Sequence, residues 1–178
     1  MQVRREATRL DTPFFLLHED ILRENLDAFK QALAVHWPNS IIAYSVKTNA
    51  LPWLLDYMYE HEVMAEVVSD EEYQLAKLCG FQDSEIVFNG PIKTTRQLLV
   101  AVGRGAIVNI DSEHEVSTLL RYERGVGENV GVRVNVSPKE FASKDIEYSE
   151  DGFRFGFSNK NGRLSSVIDL MKEKSKTG

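Results

Sequence analysis

Short apolar runs recur along the chain at even intervals: IIAYSV (41–46), AEVVS (65–69), IVFNG (86–90), AIVNID (106–111) and VGVRVNV (130–136). Each is rich in β-formers and reads as a strand. Their starts lie roughly 20–25 residues apart, room for one strand, one crossover helix and two short loops. Between them the apolar period lengthens to that of a helix. LPWLLDYMYEH (51–61) and SDEEYQLAKLCG (69–80) carry apolar residues at helical spacing, and the second stops at Gly80. Ahead of the first strand, EDILRENLDAFKQAL (19–33) places Ile21, Leu22, Leu26, Phe29 and Leu33 on one stripe.

The joins between strand and helix share a signature. Ser69 with Glu72, Thr94 with Gln97, and Ser112 with Glu115 each fit the Ser/Thr-x-x-Glu/Gln capping box. Three such boxes, each just after a strand, predict repeated βα units and a parallel sheet. Such units build either a (β/α) barrel or an open doubly wound sheet. The open sheet favours a Gly-rich loop after its first strand, and Ser45-Val46-Lys47-Thr48-Asn49 has no glycine. The expectation is therefore an α/β fold of the barrel type. A complete barrel takes about 250 residues, so about five of eight strands are expected here, as the first part of a larger protein.

The remaining segments complete the plan. TPFFLLHED (12–20) reads as a strand entering the first helix, which divides the chain into an N-terminal strand segment, 1–18, and a partial barrel, 19–178. Residues 137–152 are polar and without period, as expected of a long loop near an active site. After FRFGF (153–157), LSSVIDLMKEK predicts one more helix, and the closing KSKTG reads as a tail or a truncation scar.

Composition narrows the classes of function. With 178 residues and 43% hydrophobic side chains, the chain can bury one ordinary core. The net charge of −6, with no long basic run, argues against a nucleic-acid surface. Charges interrupt every apolar stretch, so no membrane span is expected, and the basic N-terminus lacks the apolar core of a signal peptide. A single cysteine, Cys79, gives no disulfide framework. His18, His36, His61 and His114 show no paired metal-ligand spacing. A cytoplasmic domain is the expectation.

Lys47 stands out because a charged amine ends an otherwise apolar strand. Parallel barrels carry their active sites at the C-terminal ends of the strands. A lysine desolvated there has its pKa lowered and becomes a nucleophile for carbonyl carbon. Lys93 follows IVFNGPI in a comparable place, so position alone does not choose between the two. Arg133 alternates with Val132 and Val134 and shares a face with Asn135. On an inward face it requires an anionic partner, either Glu66 or a bound cofactor.

AYSVKTN, around Lys47, resembles the pyridoxal-phosphate lysine motif of the alanine-racemase-like, fold-type-III decarboxylases, the group of the diaminopimelate, ornithine and arginine decarboxylases. TPFFLLHEDILRENLDAF is similar to that family's N-terminal entry, and AEVVSDEEYQLAKLCGF to its second strand and helix. IVFNGPIKT, IVNIDSEHEV, VGVRVNV and FRFGF follow in the family's order. The resemblance implies that Lys47 forms a Schiff base with pyridoxal 5'-phosphate, with Glu66 and Arg133 also binding the cofactor. Glu66 stands where the family usually has an aspartate. Arg154 and Gly156 match its basic-Phe-Gly turn, and Lys93 matches a lysine it often carries without a step assigned. The family's ring-stacking histidine, Gly-rich phosphate loop and C-terminal β-domain fall beyond the matched segments, so the 178-residue chain alone is expected to be inactive. What the resemblance implies for the full-length protein is a homodimer that removes CO2 from an amino acid, foremost a diaminopimelate decarboxylase of lysine biosynthesis. Ornithine, arginine or carboxynorspermidine decarboxylases are the near alternatives. A non-catalytic relative acting by protein–protein binding is the distant one.

Overall fold

The helical stripe over 19–33 is realised as α1, Glu19–His36, with Glu19 and Asp20 in its first turn and His36 in its last, the polarity that suits the helix dipole. The computed structural model describes residues 13–122, 126, 129–136 and 155–176. The expected loop at 137–152, Arg154, Thr12 and Thr177-Gly178 lie outside them. The chain divides into two compact units, Met1–Ser40 and Ile41–Gly178. Within the first, residues 14–18 are not a strand as the sequence suggests but irregular chain, with Phe15 fully exposed. Apolar residues alone do not make a strand; the backbone must also find a pairing edge.

The second unit is built as repeated βα steps. β1 (Ala43–Ser45), β2 (Met64–Val67), β3 (Ile86–Phe88), β4 (Ile107–Ile110) and β5 (Val130–Val132) form one five-stranded sheet in the order β1-β2-β3-β4-β5. Every neighbouring pair is parallel. A doubly wound sheet reverses direction at a switch point, whereas here each step lands on the next strand. This is the winding of a partial (β/α) barrel. Between the strands lie α2 (Pro52–Glu60), α3 (Asp70–Leu78), α4 (Thr95–Gly103) and α5 (Glu113–Leu120).

Local chemistry starts each of these helices where the sequence says. Pro52 opens α2 from a position that needs no N–H donor. Ser69, Thr94 and Ser112 each accept a hydrogen bond from the backbone N–H three residues on. The reciprocal arm of the box departs from expectation. Glu72 and Glu115 reach past their caps to the backbone N–H groups of Val68 (2.9 Å) and Asp111 (2.7 Å), and Gln97 pairs instead with Gln74.

Strand alternation separates two faces. Ala65, Val67, Ile86, Phe88, Val108 and Ile110 are essentially inaccessible, as are Leu55, Tyr73, Ala76, Leu98, Ala101 and Leu119 on the helices. Each large apolar side chain so buried contributes roughly 1.5–3 kcal/mol, so this sheet–helix layer holds the unit together. The other face carries Ser45, Glu66 and Asn109, all part-buried.

VGVRVNV does not run as one uninterrupted strand. Arg133 donates its backbone N–H to Ile110 of β4 (2.9 Å), while its carbonyl accepts from Phe157 (2.8 Å). Beyond it, β6 (Val134–Asn135) pairs in parallel with β7 (Phe157–Ser158). The close approach needs Gly156, whose φ is +81° and whose Cβ, if present, would lie 2.7 Å from the Arg133 carbonyl oxygen. α6 (Arg163–Lys176) closes the described chain, so Lys174-Ser175-Lys176 of the expected tail are helical.

Candidate active site

The C-terminal ends of the strands surround a cavity of about 560 Å³, within the range of small-molecule and cofactor sites. Each βα step contributes a polar group to its wall: Lys47 after β1, Glu66 from β2, Asn89 after β3, Asn109 and Asp111 from the end of β4, and Arg133 between β5 and β6.

A belt of hydrogen bonds crosses four of these steps. Ser45 donates to Glu66 Oε2 (2.5 Å), Asn89 Nδ2 to Glu66 Oε1 (2.8 Å), and Asn109 Nδ2 to Asn89 Oδ1 (2.7 Å). Both carboxylate oxygens of Glu66 accept, which fixes the orientation of the carboxylate. The belt also explains a glycine. At Gly131, beside Asn109 in the register, a Cβ would stand 2.2 Å from Asn109 Oδ1. The amide occupies the space that a side chain on β5 would fill.

Lys47 sits in a single 3-10 turn, Val46–Thr48, immediately after β1. Val46 is wholly buried and anchors that turn. The Lys47 side chain is exposed on the cavity wall, and its amine has no hydrogen-bond or ion-pair partner among the described residues.

Lys93 is its opposite. The amine is enclosed and donates to the Gly90 carbonyl (2.7 Å), the Asn109 carbonyl (2.9 Å) and Glu115 Oε1 (3.2 Å). Three acceptors match the three protons of an ammonium, which leaves no lone pair for reaction. Burial pulls the Lys93 pKa below the ordinary lysine value, and the Glu115 carboxylate beside it opposes that pull. Burial separates the two lysines that look alike in sequence: Lys93 is enclosed and Lys47 is the accessible amine.

Among the described residues, the anionic partner of Arg133 is Asp111 rather than the expected Glu66. Its Nη1 donates to Asp111 Oδ2 at 2.8 Å, and Asp111 Oδ1 accepts the backbone N–H of Gly156 at 2.8 Å. Glu66 is engaged by Ser45 and Asn89 instead. The Phe155 ring lies 5.0 Å from the guanidinium carbon, in cation–π range. Asp111, Glu115, Asn89 and Asn109 escaped the sequence reading as site residues. One signal was there: IVFN and IVN each place an asparagine where an apolar strand ends, and a polar amide in such a place needs partners. No group of three or more metal-ligating side chains occurs among the described residues, and no helix among them is long and apolar enough to cross a membrane.

Residues 19–175 match the family model of the pyridoxal-binding domain of pyridoxal-dependent decarboxylases. The chain is 34% identical over 164 residues to a probable chloroplastic diaminopimelate decarboxylase of Oryza sativa, covering 92% of this chain and 33% of that protein. To the diaminopimelate decarboxylase of Archaeoglobus fulgidus it is 32% identical over 127 residues, 71% of this chain and 29% of that one. The chain thus spans about a third of the length of these curated relatives. Among solved structures, the diaminopimelate decarboxylase of M. jannaschii superposes with a TM-score of 0.79 at 24% identity, over 96% of this chain and 41% of that one. The Paramecium bursaria Chlorella virus arginine decarboxylase does so at 0.62 and 20%, over 84% and 38%. The strand winding, the cavity at the strand ends and the match over 19–175 agree, and the chain belongs to the pyridoxal-dependent decarboxylases through their pyridoxal-binding domain.

Proposed function

We propose that the full-length protein is a pyridoxal-phosphate-dependent decarboxylase of diaminopimelate, releasing CO2 and leaving lysine, and that Lys47 holds the cofactor. The observation that carries this reading is the exposed Lys47 amine, without a partner among the described residues, on the wall of a cavity of cofactor size. The donor set fits the aldehyde end of pyridoxal phosphate: an accessible amine for its carbonyl carbon, with a fixed carboxylate on the same wall. Lys47 Nζ would bond that carbon. When bound, the cofactor supplies an electron sink for the pair released as the bond between the α-carbon and its carboxyl group breaks.

The protein's part is orientation and charge. Glu66, held through both oxygens, fixes a carboxyl group on the cavity wall that is not free to swing. Arg133, tied to Asp111 through one nitrogen, leaves a partly exposed guanidinium as a seat for an anionic group of cofactor or substrate. The substrate class follows from the relatives at 32% and 34% identity, both diaminopimelate decarboxylases. A related M. jannaschii structure is a co-complex with L-lysine. A homodimer and a cytoplasmic setting complete the reading, the latter in keeping with a free Cys79.

The test is reduction with borohydride after pyridoxal phosphate is added to the full-length protein, followed by peptide mapping. A label on the 41–50 peptide is the expected result. A label on Lys93 alone, or none, refutes the assignment. Release of CO2 from diaminopimelate, compared with ornithine, arginine and lysine, then identifies the substrate.

A further inference from the structure

We propose that Glu115, locked by Lys93, is a positioning residue that sets Asp111 and, through it, Arg133 on the cavity wall. The linkage stands on the geometry alone; what Arg133 then holds rests on the decarboxylase reading. Glu115 belongs to the first turn of α5 and is essentially inaccessible. Its Oε1 takes the Lys93 amine and its Oε2 the backbone N–H of Asp111. The Asp111 carboxylate in turn grips Arg133 with one oxygen and the Gly156 N–H with the other. The β3 exit loop, β4, α5, Arg133 and the approach to β7 are joined in one run of bonds, since Lys93 also holds the carbonyls of Gly90 and Asn109.

The fold contains its own control. At α3, Ser69 caps the helix and Glu72 reaches back to the Val68 N–H at 2.9 Å, the same arrangement as Ser112, Glu115 and Asp111. Yet among the described residues no lysine pairs with Glu72, which is only part-buried. Capping a helix therefore does not require a buried ion pair, and such pairs are poor contributors to net stability because both charges lose their water. What differs at α5 is the residue being held. Before α3 it is Val68; before α5 it is Asp111, whose carboxylate engages Arg133. The buried pair sits where backbone position controls a charged group of the cavity.

Two variants of the full-length protein separate positioning from packing. Lys93→Met/Glu115→Gln removes both charges but keeps an oxygen for the Asp111 N–H. Lys93→Met/Glu115→Leu removes that oxygen too. Amide hydrogen exchange at Gly156, measured without cofactor, is expected to be about tenfold faster in the leucine pair than in the glutamine pair, the factor one lost hydrogen bond is worth. The dissociation constant for pyridoxal phosphate is expected to rise by a similar factor. Should the leucine pair fail to fold, Lys93→Met/Glu115→Ser, too short to reach Asp111, carries the same expectation. Equal exchange at Gly156 in the glutamine pair and its partner would overturn the linkage. Faster exchange with unchanged cofactor affinity would overturn the positioning role of Arg133. Loss of the label on Lys47 in the unaltered protein would instead refute the decarboxylase reading and leave the exchange result standing.

Discussion

Replacing Gly90 by alanine puts a methyl group where the cavity wall has no room for one. Gly90 follows β3 with φ +92°, and a Cβ built on it lies 2.2 Å from the Val68 carbonyl oxygen and 2.9 Å from the Val68 carbonyl carbon. Two costs arise. Holding a non-glycine residue in the left-handed region costs about 1–2 kcal/mol. Relieving the overlap requires the two exit loops to part, and forced backbone shifts of this kind cost about 1–3 kcal/mol. Gly105 isolates the first cost, since it has φ +85° and nothing within 4 Å of its Cβ position. Gly90→Ala should thus destabilise by about 2 kcal/mol more than Gly105→Ala. Urea unfolding followed by tryptophan fluorescence measures the difference. Gly90→Ala should also weaken pyridoxal phosphate binding, because Asn89 and the Gly90 carbonyl hold Glu66 and Lys93, whereas Gly105→Ala should leave binding intact. Equal destabilisation by the two variants would refute the close approach of the β2 and β3 exits.

Glu66→Asp shortens the side chain by about 1.5 Å, too much to keep both Ser45 and Asn89. A loss of about 1.5 kcal/mol in stability and weaker cofactor binding are expected, by thermal melting and titration; no change in either would mean that the belt does not fix this carboxylate. Tyr73 is buried and donates to Asp83 at 2.6 Å, and Lys77 adds an ion pair at 3.0 Å. Burial pushes the Asp83 carboxyl upward, but the bonds from Tyr73 and Lys77 outweigh it, and its pKa ends below the ordinary value. Burial, with Asp83 adding to it, pushes the Tyr73 phenol far above its own. The stability Asp83 adds is present above its unfolded pKa of about 3.9 and lost as pH falls through the folded value. The stability of the Tyr73 phenol fades as pH rises past about 10, where the unfolded chain ionises first. The melting-temperature gap between the protein and Tyr73→Phe should therefore be widest between about pH 5 and pH 9 and narrow on both sides. A gap independent of pH would refute the cluster.

Much of the fold was legible because its signals are local. Strand composition, helical period and the caps at Ser69, Thr94 and Ser112 depend on residues within one or two turns of each other, and the structure places helices and strands accordingly. The motif around Lys47 was legible for the same reason. Pairing across the sheet was not. Whether β3 lies beside β2 or on its far side is invisible in either segment, and only the strand order established the barrel winding. Residues 14–18 have strand-like composition but no strand, because pairing needs an edge that no local pattern specifies. The two lysines look alike in sequence; Gly90, Asn109 and Glu115 converge on one of them from three separate elements. Arg133 plainly needed an anion, but nothing in its own segment says that Asp111 rather than Glu66 lies within reach of its guanidinium. Periodicity and capping are set by chain neighbours, so the sequence alone determined the elements and a reactive-lysine candidate. Solvation and partner choice are set by whichever distant groups the sheet register brings within about 3 Å, so only the tertiary structure decided which lysine stayed accessible and which carboxylate faced the arginine.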